Sequence, residues 1–120
     1  MDKPDDGRHI AVSPNARLEL TLRDGVLVAR IEGEIDLANV ARVERVVMEA
    51  IAHDRPRAVL ADLEALDYLD GGGRAWLHRL RERLRLCGVG FDVARPAAGA
   101  AARLFELLWP IDDGESRPGG

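Results

Sequence analysis

The amino-acid sequence predicts a single α/β domain of order ββαβαβα: a mixed sheet opened by an antiparallel hairpin, its remaining strands parallel, with helices packed on it. Three patterns lead there. Leu18-Glu19-Leu20-Thr21-Leu22 alternates strictly, as a strand with one buried face does. Two later stretches place apolar residues at steps of three and four, the helical period. Between them lies Ala58-Val59-Leu60-Ala61, a continuous apolar run suited to a strand covered on both faces.

The elements follow in order. Residues 1–16 are rich in Asp, Gly and Pro without periodicity and read as a flexible tail preceding a domain over 17–109. Asp24-Gly25 is a tight-turn signal that joins the first strand to Val26-Leu27-Val28-Ala29-Arg30-Ile31-Glu32, closing a hairpin. Gly33 to Leu37 breaks that strand pattern, and Asn39 then suits an N-cap whose side chain accepts from the next turn. Val40, Val43, Val47, Ala50 and Ile51 mark a helix to about His53, stopped by Arg55-Pro56. After the run at 58–61, Leu66 to Leu69 leads into Asp70-Gly71-Gly72-Gly73 and a second helix with Trp76, Leu77, Leu80, Leu84 and Cys87 on one face. Gly88 is its expected C-cap. Val89 to Ala94 reads as the fourth strand and 98–109 as a last helix stopped by Pro110, with a flexible tail over 110–120.

Composition excludes several functions. The net charge of −4 argues against non-specific nucleic-acid binding. No apolar run reaches the roughly 18 residues of a membrane span, and 1–9 holds no apolar leader core, so a cytoplasmic location is expected. Lys3 is the sole lysine, Ser13, Ser116 and Thr21 are the only hydroxyl side chains besides Tyr68, and Cys87 is alone. A phosphate-binding loop with Lys and Ser/Thr, a serine hydrolase, a disulfide and a cysteine metal site are therefore not available. The arginine bias itself reads first as the mark of a GC-rich genome.

The segment from Asp62 to Arg74 stands at the carboxyl end of a central parallel strand, where open α/β sheets place their sites. It holds Asp62, Glu64, Asp67 and Asp70 and a three-glycine run that opens a helix. Asp70 has two readings: a helix cap alone, or a cap that also belongs to a binding surface. A phosphoryl-accepting receiver would need an acidic pair after its first strand and a late Lys; a dinucleotide site would need Gly-x-Gly-x-x-Gly. Residue type alone would let the carboxylates bind a metal or act as an acid–base pair, but nothing in the sequence fixes their geometry, and His9, His53 and His78 are dispersed without ligand spacing. Trp76 and Trp109 sit at packing positions. No catalytic residue, metal or cofactor is expected.

Gly33-Glu34-Ile35-Asp36 after a hairpin, Val59-Leu60-Ala61-Asp62-Leu63, and Tyr68-Leu69-Asp70-Gly71-Gly72-Gly73 opening a helix together resemble a STAS domain, the fold of bacterial anti-sigma factor antagonists. The resemblance spans roughly Leu18 to Leu108. It implies a protein partner, an anti-sigma factor of the serine-kinase type, met by Asp36, Asp70, Gly71, Gly72, Gly73 and Arg74. It also exposes a departure. Antagonists of this kind read Asp-Ser-Ser-Gly or Asp-Ser-Thr-Gly where this chain reads Asp70-Gly71-Gly72-Gly73, and the first Ser is the residue the partner phosphorylates. With Gly71 there, the expectation is binding independent of phosphorylation. Two alternatives stand beside it: a non-switching subunit of a larger assembly such as an ABC-type lipid transporter, or a small anion- or nucleotide-sensing domain. The sequence selects neither monomer nor homodimer.

Overall fold

Leu18, Leu20, Leu27, Ala29 and Ile31 alternate along two neighbouring strands, and all five are buried in the computed structural model. The structure describes residues 7–96 and, beyond them, positions 99, 102 and 103. Its elements are β1 (Gly7–Ser13), β2 (Ala16–Arg23), β3 (Val26–Ile35), α1 (Val40–Asp54), β4 (Ala58–Asp62), β5 (Leu66–Leu69), α2 (Gly71–Leu86) and β6 (Gly90–Ala94). The sheet runs β1-β2-β3-β4-β6, with β5 paired to the far end of β3. β1, β2 and β3 are antiparallel to one another in turn, while β4, β5 and β6 join in parallel. The mixed α/β architecture predicted from the sequence is therefore present.

One face of this sheet makes the core. Val59 and Ala61 of β4 join the buried residues of β2 and β3. Val40, Val43, Val47 and Ala50 of α1 and Trp76, Leu77, Leu80 and Leu84 of α2 are buried against them. The opposite face carries the alternate residues. Glu19, Arg30 and Asp62 lie side by side across β2, β3 and β4. Arg30 reaches Glu32 at 3.4 Å and Asp62 at 3.3 Å. Those bonds, the one to Glu32 foremost, hold its guanidinium above its ordinary pKa.

Both helices end on backbone geometry. Arg55 takes φ 50° at the end of α1, and its N–H donates to Ile51 O. At the end of α2, Gly88 takes φ 75°, its N–H donates to Arg85 O, and Val89 N–H donates to Leu84 O. That is the paired closure of a Schellman turn, with Gly88 in the position only glycine occupies without strain.

Three segments differ from the sequence reading. Residues 7–13, expected within a loose tail over 1–16, form β1. They pair with β2 through a bulge between Ala11 and Ser13, which interrupts the alternation a strand would otherwise advertise. β3 continues to Ile35 rather than stopping at Glu32, because Gly33 at φ 96° bends the strand without ending it. Leu66–Leu69 is a strand of its own, β5. The expected last helix over 98–109 and the tail over 110–120 lie outside the described residues, apart from positions 99, 102 and 103.

β1 is tied to the end of α1 by Arg8 Nη2 at 2.7 Å from Asp54 Oδ2. Asp54 Oδ1 lies 2.9 Å from His53 Nδ1. The His53 hydrogen bond first, with Arg8 adding to it, holds the Asp54 carboxyl below the usual carboxylate range. A lowered folded-state value means this contribution is complete above the ordinary aspartate range and is lost as pH falls through the lower, folded value. Asp54→Asn is therefore expected to be less stable than the parent in urea unfolding at pH 7, the difference closing as the pH is lowered through the carboxylate range.

Candidate functional site

Parallel pairing of β3 with β5 places Ile35 opposite Leu69, so the next residue of each strand, Asp36 and Asp70, emerges at one edge of the sheet. Asp70 N–H donates to Ile35 O at 3.2 Å, locking the two strand ends together. Both aspartates then turn their carboxylates onto backbone amides.

Asp70 is the N-cap of α2. Its Oδ1 accepts from Gly72 N–H at 2.8 Å and Gly73 N–H at 3.1 Å. Its Oδ2 accepts from Leu37 N–H at 3.1 Å, in the loop between β3 and α1. The carboxylate thus does more than cap: it joins the start of α2 to the loop that follows Asp36. A negative charge at this helix end is also favoured by the dipole.

Asp36 braces the loop that leads into α1. Its Oδ1 accepts from Ala38 N–H at 2.9 Å and Asn39 N–H at 3.1 Å. Its carbonyl accepts from Val40 N–H at 2.9 Å. Asn39, expected to cap the helix with its own side chain, makes no such bond. It turns inward, 4% exposed, accepting from Asp36 N–H at 3.0 Å and donating to Glu34 O at 2.9 Å and Ser13 Oγ at 3.2 Å. A buried amide with both ends satisfied ties the loop to β1, an outcome that required β1 to exist.

The three glycines have separate reasons. A Cβ at Gly73 would collide with Leu69 Cδ1 and lie 2.9 Å from Ile35 Cγ2, both side chains of the core. At Gly72 a Cβ would meet Leu37 Cδ2 at 2.8 Å, the end of an exposed side chain that is free to swing. At Gly71 it would meet nothing within 4 Å. All three lie within α2, so backbone conformation does not demand glycine at 71. Arg74 follows them in the first turn of α2, its N–H donating to Asp70 O at 3.0 Å.

The residues expected to meet a partner, Asp36, Asp70, Gly71, Gly72, Gly73 and Arg74, are brought to one end of the sheet, where Gly73 is buried rather than on the surface. The other carboxylates have different places. Asp62 pairs with Arg30 and accepts from Glu64 N–H, while Glu64 and Asp67 are exposed. Among the described residues no three His, Cys, Asp or Glu side chains converge as a metal would require. Trp76 is 1% exposed and packs in the core; Trp109 lies outside the described residues. No helix of the described residues is long and apolar enough to cross a membrane. Leu37 is the residue that sequence reasoning missed. It is 75% exposed beside Gly72, and neither its type nor its spacing signals that a leucine is left in water.

Comparison with known proteins agrees with this fold. The model of the STAS domain family matches residues 17–109. The crystal structure of an anti-sigma factor antagonist from Mycobacterium paratuberculosis is similar with a TM-score of 0.70 and 30% identity, covering 87% of this chain and 86% of that one. The anti-sigma factor antagonist SpoIIAA, in its unphosphorylated form, is similar in fold with a TM-score of 0.55 and 18% identity over 94% of this chain and 99% of that one. A longer protein, Mglu, contains a similar fold with a TM-score of 0.57 and 20% identity, over 67% of this chain and 20% of that one. A search of curated protein sequences finds no significant match.

The packing at the glycine turn separates two substitutions two residues apart. Gly73→Ala is expected to cost about 1–3 kcal/mol, the usual range for forcing a methyl into a filled core. Gly71→Ala is expected to be neutral or to stabilise by up to about 1 kcal/mol, the helix-propensity difference. Urea unfolding of the two variants measures both.

Proposed function

We propose that this chain, which belongs to the STAS domain family, is a non-catalytic protein-binding module that acts as an anti-sigma factor antagonist does, without the phosphorylation switch. The partner is an anti-sigma factor of the serine-kinase type, met at the end of the sheet where Asp36, Asp70 and the first turn of α2 stand together. The similarity to an antagonist at 30% identity across most of both chains supports the class of partner.

Gly71 is the observation that carries the absence of a switch. It occupies the position where the family resemblance places the phosphorylated Ser, at the first residue of α2. A phosphate there would add about −1.5 to −2 charges beside Asp70 and fill the open space at Gly71, so that a partner seated on the bare turn no longer fits. Glycine offers no acceptor. The remaining hydroxyls do not take its place. Ser13 is engaged with Asn15 and Asn39 at the end of β1, and Thr21 is half-buried within β2; Ser116 lies outside the described residues. Binding is then governed by the concentrations of the two proteins, and kinase activity does not interrupt it. Sensing of a small anion at the same turn is disfavoured by Asp70, whose carboxylate already accepts from the amides such an anion would need.

The test is intact-mass measurement after incubation with a purified serine-kinase-type anti-sigma factor and ATP. The parent chain is expected to gain no phosphate. Gly71→Ser, whose side chain enters open space, is expected to gain one, at residue 71. A phosphate on residues 7–96 of the parent chain contradicts the proposal.

A further inference from the structure

We infer that Leu37 is the apolar anchor of the partner interface, entering an apolar socket rimmed by basic side chains on the anti-sigma factor; this rests on the function proposed above. Among the described residues three large hydrophobic side chains are exposed: Leu37 at 75%, Tyr68 at 39% and Leu86 at 77%. Leu86 closes the far end of α2, whereas Leu37 lies at the end where α2 begins, over the bare backbone of Gly72. Tyr68 is on β5, two residues before Asp70.

Leu37 is held rather than loose. Its N–H donates to Asp70 Oδ2 at 3.1 Å, and Asp36 fixes the following two amides. A turn already held by hydrogen bonds has little backbone freedom left to lose when a partner covers its side chain, which suits an interface anchor. Gly71, the residue before Gly72, bears no side chain and has open space where one would stand, so a partner surface can approach the backbone closely.

Charge identifies the complementary surface. Asp36 and Asp70 lie at the strand ends beside Leu37 and outnumber Arg74 there. A partner rim of Arg or Lys matches this field, steers the encounter and makes association weaken with added salt. An acidic rim would be repelled.

The experiment titrates the purified serine-kinase-type anti-sigma factors of the source organism, one at a time, with the parent chain, Leu37→Ser and Leu86→Ser by calorimetry at low and high salt. Thermal melts verify that the two exposed substitutions leave the fold intact. The expected result is a tenfold or greater loss of affinity for Leu37→Ser, no change for Leu86→Ser, and weaker binding of the parent at high salt. Undiminished binding by Leu37→Ser overturns the anchor and leaves the proposed function standing. Failure of every factor to bind the parent overturns both. A parent dimer in sedimentation that Leu37→Ser dissociates also overturns the inference, because the occupant of the surface is then a second copy of the chain.

Discussion

One carboxylate, that of Asp70, accepts hydrogen bonds from three amides on two separate pieces of chain. Gly72 and Gly73 belong to the first turn of α2, and Leu37 belongs to the loop that leads into α1. The first turn of a helix leaves N–H groups without intrahelical partners, and a loop offers few of its own. A single charged acceptor satisfies both sets and orients them relative to each other. The parallel step that pairs Ile35 with Leu69 makes this reach available, since it sets the two strand ends side by side. Asp36 and Asn39 complete the loop from the other side, through the Asp36 carboxylate and an inward-turned amide.

The glycine run shows how little a repeated letter says about its reasons. Gly73 is required by the core, because Leu69 and Ile35 occupy the space a methyl would need. Gly72 faces the tip of the exposed Leu37 side chain. Gly71 has no structural requirement in α2, neither a positive φ nor a close neighbour. Packing and backbone geometry therefore do not account for glycine at the position where the family resemblance places a phosphorylated Ser. The shortage of Ser and Thr along the chain gains a meaning there that base composition alone does not supply.

Much of the core was legible because its residues repeat. Leu18, Leu20 and Leu22 alternate, Val40, Val43 and Val47 recur at helical steps, and Asp70 precedes a helix as a cap does. What escaped had no period to read. β1 is an edge strand whose alternation a bulge interrupts, and its stability comes from the ladder with β2. β5 spans four residues, with Leu66 and Leu69 buried three apart, which is neither the strand nor a complete helical signature. Asn39 sits where a cap is expected, yet its side chain turns away from α1 to Asp36 N–H, Glu34 O and Ser13 Oγ, the last on a strand far away in sequence. Asp70 was legible from its place before the glycine run, whereas Asp36 was found through resemblance. Leu37 was not, because exposure is a property of the fold and leaves no mark on a leucine's neighbours.

The dependence of both chain segments on one carboxylate is tested most directly by residue-resolved amide hydrogen exchange, comparing the parent chain with Asp70→Ala. The amides of Leu37, Gly72 and Gly73 are expected to lose protection together, while those of β2 and β3 in the middle of the sheet keep theirs. Retention of protection at Leu37 when Gly72 and Gly73 lose it would contradict the account, for the loop would then be held in place without Asp70.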